Sequence, residues 1–348
     1  MEIVDNNDMK IIRNKITSSF FKRCRNNIQN DAINNCLGLV IRKEDEDFIR
    51  KELRRIGDYE FQGPKNSWPS LYIDTDEFIK TPYNANIHLD RITDDQFEYS
   101  YEEMPANVLF NLEEVKKDPN RELNDYLVLR AFDKPYKSVV LKQNGEYWMT
   151  DNPVEAATIN PSVNKAYGRV LAFGLGIGYF PYMCLLKDEV EDVSVVELNP
   201  AVIRMFKEHL LPQFPRNDKL KIIEGDALTY FNKDFLKDYD FVFVDVWMNP
   251  NDGFPMIERM LEEYYPPFDK VDFWIEDSCF EVVTSLILQY FDCLSLNRKL
   301  KVAKKHQRLL MKIEKYFAAL DIVVDDPIIL KELMYDRETL RKIVSTRI

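Results

Sequence analysis

From residue 169 onward the chain alternates between short apolar runs and segments of helical character. RVLAFG (169–174), DVSVVE (192–197), KLKIIEGD (219–226), YDFVFVD (239–245) and VDFWIED (271–277) read as strands. Helices are predicted between and after them, over 179–187, 200–211, 227–236, 254–265 and 280–294. A helix between consecutive strands returns the chain to the same end of the sheet, so the strands pair in parallel. The unbroken apolar runs 170–173 and 241–244 suit interior strands covered on both faces. The expected fold class is α/β, a Rossmann-like doubly wound, mostly parallel sheet.

The 348 residues allow one large domain or two ordinary ones. Residues 8–56 read as helical, with Ile12, Ile16, Phe20, Cys24 and Ile28 forming an apolar stripe. Six basic residues and no acid lie between Lys10 and Arg25. They read as the solvated face of that helix, with contact to an anionic partner as the alternative. A further helix is predicted over 44–56, then an irregular stretch over 57–105. KSVVLKQNGEYWM (137–149) carries Asn144-Gly145 between two β-prone runs, a strong hairpin signal. The predicted division is an N-terminal mainly helical domain (1–105), a linker and β-hairpin region (106–168), the α/β core (169–296) and C-terminal helices (297–348). Those last helices read as packing elements or a homodimer contact.

Several function classes are disfavoured. The net charge of −12 gives no electrostatic footprint for nucleic acid. No apolar run approaches the length of a membrane span. The three histidines and five scattered cysteines show no metal-ligand spacing, so no metal site is expected and the thiols suit a reducing, cytoplasmic setting.

The chemistry gathers at the strand ends. Gly174, Gly176 and Gly178 fall where the first core strand gives way to its helix, the position at which a doubly wound sheet binds its ligand. The second strand ends in Glu197, placed to accept ribose hydroxyls. The third ends in Gly225-Asp226-Ala227 and the fourth in Asp245. The third glycine comes one place early for a dinucleotide fingerprint, the loop has no Lys or Arg, and bulky Tyr179 and Phe180 follow. A P-loop is absent. These features point to an adenosyl ligand without phosphates, and S-adenosylmethionine (SAM), a sulfonium, suits an acidic rim.

These residues resemble class I SAM-dependent methyltransferases, over roughly residues 137–295. GLGIG is similar to the motif around the methionine and ribose, and Glu197 in VVELNP to the ribose-binding acid. Asp226-Ala227 in EGDAL matches the adenine-binding position, and Asp245 in FVFVDVW the fourth-strand acid near the transferred group. The hairpin before the core resembles the spermidine synthase branch. Two departures stand out. The loop has Leu175 and Ile177 where that branch has a GGGDG-like sequence, and DVWMNP (245–250) lacks its second acid. The C-terminal antiparallel strands usual in such methyltransferases are also missing, with DIVVDD (321–326) the one candidate.

The resemblance implies a methyltransferase with SAM as cofactor, and the abundant acids favour a small neutral or cationic acceptor, such as an amine. Gly174, Gly176, Gly178, Glu197, Asp226, Ala227 and Asp245 are the cofactor-binding candidates. Asp245 and Trp247 are the catalytic candidates, Asp245 to position the acceptor or take its proton and Trp247 to stack on it or to pack a lid. Asn249 and a flexible lid starting at Asp252-Gly253 and Pro255 follow. Glu276, Asp277 and Ser278 read as acceptor-pocket lining or a helix cap. The alternatives are an aminopropyltransferase using decarboxylated SAM and a catalytically silent binding module.

Overall fold

A computed structural model describes residues 1–4, 6, 7, 10, 14, 33, 35–112 and 128–348. The apolar stripe from Ile12 to Ile28 and the basic run from Arg13 to Arg25 lie outside the described residues.

The strands in chain order are β1 (Glu2–Ile3), β2 (Tyr72–Ile73), β3 (Ile92–Asp94), β4 (Phe97–Met104), β5 (Phe110–Asn111), β6 (Leu129–Phe132), β7 (Tyr136–Gln143), β8 (Glu146–Thr150), β9 (Gly168–Phe173), β10 (Val190–Glu197), β11 (Leu220–Glu224), β12 (Phe241–Val244), β13 (Val271–Phe273) and β14 (Val323–Val324). The central sheet has the order β11-β10-β9-β12-β13, and every pair in it is parallel. The order reverses between β9 and its two neighbours, which opens a crevice at the carboxyl ends of the strands.

Alternation along the central strands separates two cores. Leu171, Phe173, Val196, Val242 and Val244 enter one, packed by the helices Pro250–Glu263 and Glu281–Ser295. Val170, Ala172, Val193, Val195, Phe241 and Phe243 enter the other, with the helices Pro153–Lys165 and Tyr179–Leu185. Both faces are therefore covered, and the sheet is Rossmann-like and doubly wound, as its sequence predicts.

In front of the core stands a four-stranded antiparallel layer, β3-β4-β7-β8. Its β7–β8 turn is the expected hairpin, with Asn144 and Gly145 both at positive φ. β3 and β4 are not foreseen, because residues 57–105 read as irregular. The signal lies in Phe97 and Tyr99, two residues apart and 3% and 0% exposed on one face of β4. β4 pairs with β7 along its whole length, so the expected boundary at residue 105 falls within one layer.

After β13 the chain is helical, as expected, in segments Gln307–Ala318, Pro327–Tyr335 and Arg337–Ser345. DIVVDD supplies β14, which leaves the central sheet and pairs in parallel with β1. No antiparallel strand completes the sheet among the described residues. β13 is therefore an edge strand, covered by the last helix. Arg341 from that helix donates Nε and Nη2 to the Glu276 carboxylate at 2.6 and 2.8 Å. Its remaining donors reach the Phe268 carbonyl at 2.9 Å and the Val271 carbonyl at 2.8 Å. Glu276 and Arg341 are 3% and 2% exposed. A buried pair survives when its hydrogen-bonding capacity is met in this way.

Candidate functional site

The rim at the carboxyl ends of β9, β10, β11 and β12 brings together the residues singled out from sequence. The Gly174 N–H donates to Val196 at 2.9 Å, tying the loop to β10. Glu197 is 7% exposed, and its two carboxylate oxygens accept from the Leu175 N–H at 3.0 Å and the Asn199 N–H at 2.8 Å. Each oxygen keeps acceptor capacity, since a carboxylate offers about four lone-pair sites. Glu197 is thus a strut for the glycine loop as well as a candidate ribose acceptor. Gly225 donates to the Glu197 carbonyl at 2.9 Å and brings the β11 end beside it. Asp226 is exposed and caps the helix Ala227–Tyr230, accepting from the Leu228 N–H at 2.9 Å. Ala227 is 7% exposed.

The glycines are demanded by the protein's own packing. Gly174 has φ of 95°, and a Cβ built there would collide with the carbonyl of Asp245. At Gly176, with φ of 52°, it would collide with the sulfur of Met149 on β8. The close approach expected of a ligand is already made by the chain. Gly178, left-handed, stands at the N-cap of the helix Tyr179–Leu185. Tyr179 and Phe180 are also placed differently from expectation. The Tyr179 hydroxyl meets Asn160 at 3.1 Å, and Phe180 stacks on Phe243 with centroids 4.4 Å apart. Both rings are turned into the core, so the bulk argument against a diphosphate loses its basis. The absence of Lys and Arg from the loop remains.

Asp245 follows β12, its N–H bonded to the Phe173 carbonyl at 2.9 Å. Its side chain is half-buried. Burial, reinforced by the Glu155 carboxylate, raises its pKa well above the usual carboxylate range. Among the described residues no cation or hydrogen-bond donor engages its carboxylate. Glu155 reaches this level because the helix Pro153–Lys165 runs along β13. Ser162 bonds Asp272 at 2.9 Å, and one turn nearer the rim Thr158 accepts from the Trp274 indole at 2.9 Å. Glu155 lies one turn further. This acid was missed in sequence, where it lies some 90 residues from Asp245 (245 − 155).

The other acceptor-side expectations are corrected. Trp247 is 5% exposed and packed with Phe273, Gly253 and Cys279 in the core beneath the rim, so it offers no exposed stacking surface. Its indole N–H has no partner among the described residues. Asp252, Gly253 and Pro255 belong to the helix Pro250–Glu263, capped by Asn249, and form no loop-like lid. Glu276 is buried and held by Arg341, and the cap of its helix is Ile275, so Asp277 and Ser278 are not caps. No cluster of three or more His, Cys, Asp or Glu placed for a metal occurs among the described residues. No helix among them is long and apolar enough to cross a membrane.

The sheet order and its rim define a Rossmann-like fold with its crevice at the strand-order reversal. No protein-family model matches the chain. No curated protein matches it. Similar solved structures are spermidine synthases and SAM-dependent methyltransferases. One is spermidine synthase from Thermotoga maritima, at 15% identity and a TM-score of 0.31, covering 53% of this chain and 52% of that one. Another is human methyltransferase-like protein 13 in complex with SAH (S-adenosylhomocysteine), at 17% identity and a TM-score of 0.26, covering 37% of this chain and 66% of that one. The chain thus spans about half the length of that spermidine synthase.

Proposed function

We propose that the chain is a SAM-dependent methyltransferase acting on a small neutral or cationic acceptor. The observation that carries the reading is the convergence of Gly174–Gly178, Glu197, Asp226 and Asp245 on one rim, at the reversal of strand order. SAM itself would lie along the glycine loop, with Glu197 accepting from its ribose hydroxyls and Asp226-Ala227 bordering its adenine. SAM supplies an activated methyl group. The chain's task is then to orient the two reactants and to exclude water. Asp245 stands on the acceptor side of the loop. Its carboxyl holds a proton more firmly than an ordinary aspartate, so when ionised it is a strong acceptor for an N–H or O–H of the incoming molecule. With Glu155 facing it, an anionic acceptor would be repelled and a neutral or cationic one admitted. Trp247 closes the wall behind Asp245 from the core side.

An aminopropyltransferase using decarboxylated SAM is the second reading. It is favoured by the antiparallel layer, whose β7–β8 hairpin stands directly on the glycine loop through Met149. Calorimetry with SAM, SAH, decarboxylated SAM and NAD decides between the readings, with Glu197→Ala as control. SAM and SAH are expected to bind in preference to the other two. Preference for decarboxylated SAM would transfer the assignment to aminopropyl transfer. Binding of NAD alone would end both. SAH binding without turnover across a panel of amines and phenols would leave a binding module.

A further inference from the structure

Two tyrosines from the chain before the core, one on the antiparallel layer and one on a short helix ahead of it, grip the glycine loop at two consecutive peptide groups. Tyr99, on β4, donates its hydroxyl to the Gly176 carbonyl at 2.7 Å. Tyr83, in the short helix Pro82–Asn86, donates to the Ile177 carbonyl at 2.7 Å. The two side chains are 0% and 1% exposed. They reach the loop across 77 and 94 residues of sequence. A trans peptide is planar, so a carbonyl fixed on one side turns the following N–H to the other. Tyr99 therefore sets the orientation of the Gly176–Ile177 peptide. Tyr83 sets that of Ile177–Gly178, whose N–H closes on the Leu175 carbonyl at 2.8 Å. Tyr99 also adjoins the cradle's acid, for burial and then the Glu197 charge raise its phenol pKa.

A loop with three glycines in five residues has many backbone states open to it. Ligand affinity falls in proportion to the fraction of molecules holding the competent state. We propose that Tyr83 and Tyr99 are positioning residues for the adenosyl ligand, clamping the Ile177 and Gly176 carbonyls so that the glycine loop is already in its binding conformation. This goes beyond the proposed function and rests on it only for the identity of the ligand. The cofactor cradle is thereby a joint product of the α/β core and the layer in front of it.

The test uses the full chain with Tyr99→Phe, Tyr83→Phe and the double variant. Ser162→Ala serves as control, since it removes a buried hydroxyl's bond to Asp272 on β13 and touches neither loop carbonyl. SAH affinity is measured by calorimetry, and amide exchange is followed at residues 174–178. Each single variant is expected to bind SAH about threefold more weakly and the double about tenfold or more, with faster exchange at Leu175 and Gly178. Exchange inside β9 should stay unchanged. Ser162→Ala should lower the melting temperature without changing SAH affinity, which separates a positioning role from general stability. Wild-type affinity and wild-type loop exchange in a folded double variant would overturn the proposal. If the double variant does not fold, the same comparison is made on the single variants. If the unmodified chain binds no adenosyl compound, the functional reading fails. Loop exchange alone then decides the clamp, with faster exchange in the variants sustaining it and unchanged exchange ending it.

Discussion

On the cofactor side of the rim, the polar groups are tied to one another: Glu197 to two backbone N–H groups, Gly174 to β10, and the Gly176 and Ile177 carbonyls to two tyrosines. On the proposed acceptor side Asp245 holds a carboxyl with no such ties among the described residues, its pKa raised by burial and by Glu155. The first wall is organised before any ligand arrives. The second stores an electrostatic penalty that a polar or cationic partner would relieve. The difference suits a site that holds one reactant in a fixed pose and recognises the other by charge and hydrogen bonding.

The strongest way to break this contrast is Glu197→Ala. It removes the proposed ribose acceptor and orphans two backbone donors. SAH binding is expected to weaken by at least about 100-fold, with a stability loss of about 2–4 kcal/mol. Calorimetry and urea unfolding measure the two separately. A stability loss with unchanged affinity would make Glu197 a strut alone.

Asp245→Asn should do the opposite to stability. The folded-state pKa of Asp245 lies above its unfolded value. The folded chain therefore retains a proton over a pH range in which the unfolded chain has released it, and stability falls as pH rises through that range. Below the ordinary carboxyl range both states are protonated and the contribution is flat. The Asn variant should match the parent below the ordinary carboxyl range and exceed it in melting temperature as pH rises toward neutrality. SAH affinity within about twofold of the parent would restrict Asp245 to the acceptor, and a larger loss would give it the cofactor-binding role as well. Equal melting curves at all pH values would remove the stored penalty from the account.

A smaller effect sharpens the role of Asp226. Asn caps a helix about as well as Asp. Asp226→Asn should therefore leave stability within about 0.5 kcal/mol while weakening SAH roughly fivefold to tenfold through loss of the charged acceptor. Unchanged SAH affinity would reduce Asp226 to its cap.

The α/β core was legible because its physical determinants are local. Alternating strands and helices, the Asn144-Gly145 turn and acids at strand ends are all visible within a few residues of one another. What escaped depended on contacts across long stretches of sequence. β4 was hidden in an irregular-looking stretch because its partner β7 lies beyond residues 113–127. The cost of a Cβ at Gly176 comes from Met149, and that at Gly174 from the backbone of Asp245. The positions read as glycine for ligand access are glycine for a reason that only the folded packing supplies. Glu276 looked like a site acid because sequence gives no sign of Arg341 beside it. Trp247 looked available because the burial of a loop residue is set by the helices around it.

The guanidinium of Arg341 has one further consequence. By donating to the Val271 carbonyl it occupies a position on the open side of β13 that a neighbouring strand would otherwise take. The last helix is thus a stopper against unwanted strand addition. Were it displaced, the exposed margin of the sheet would offer itself to further copies of the chain.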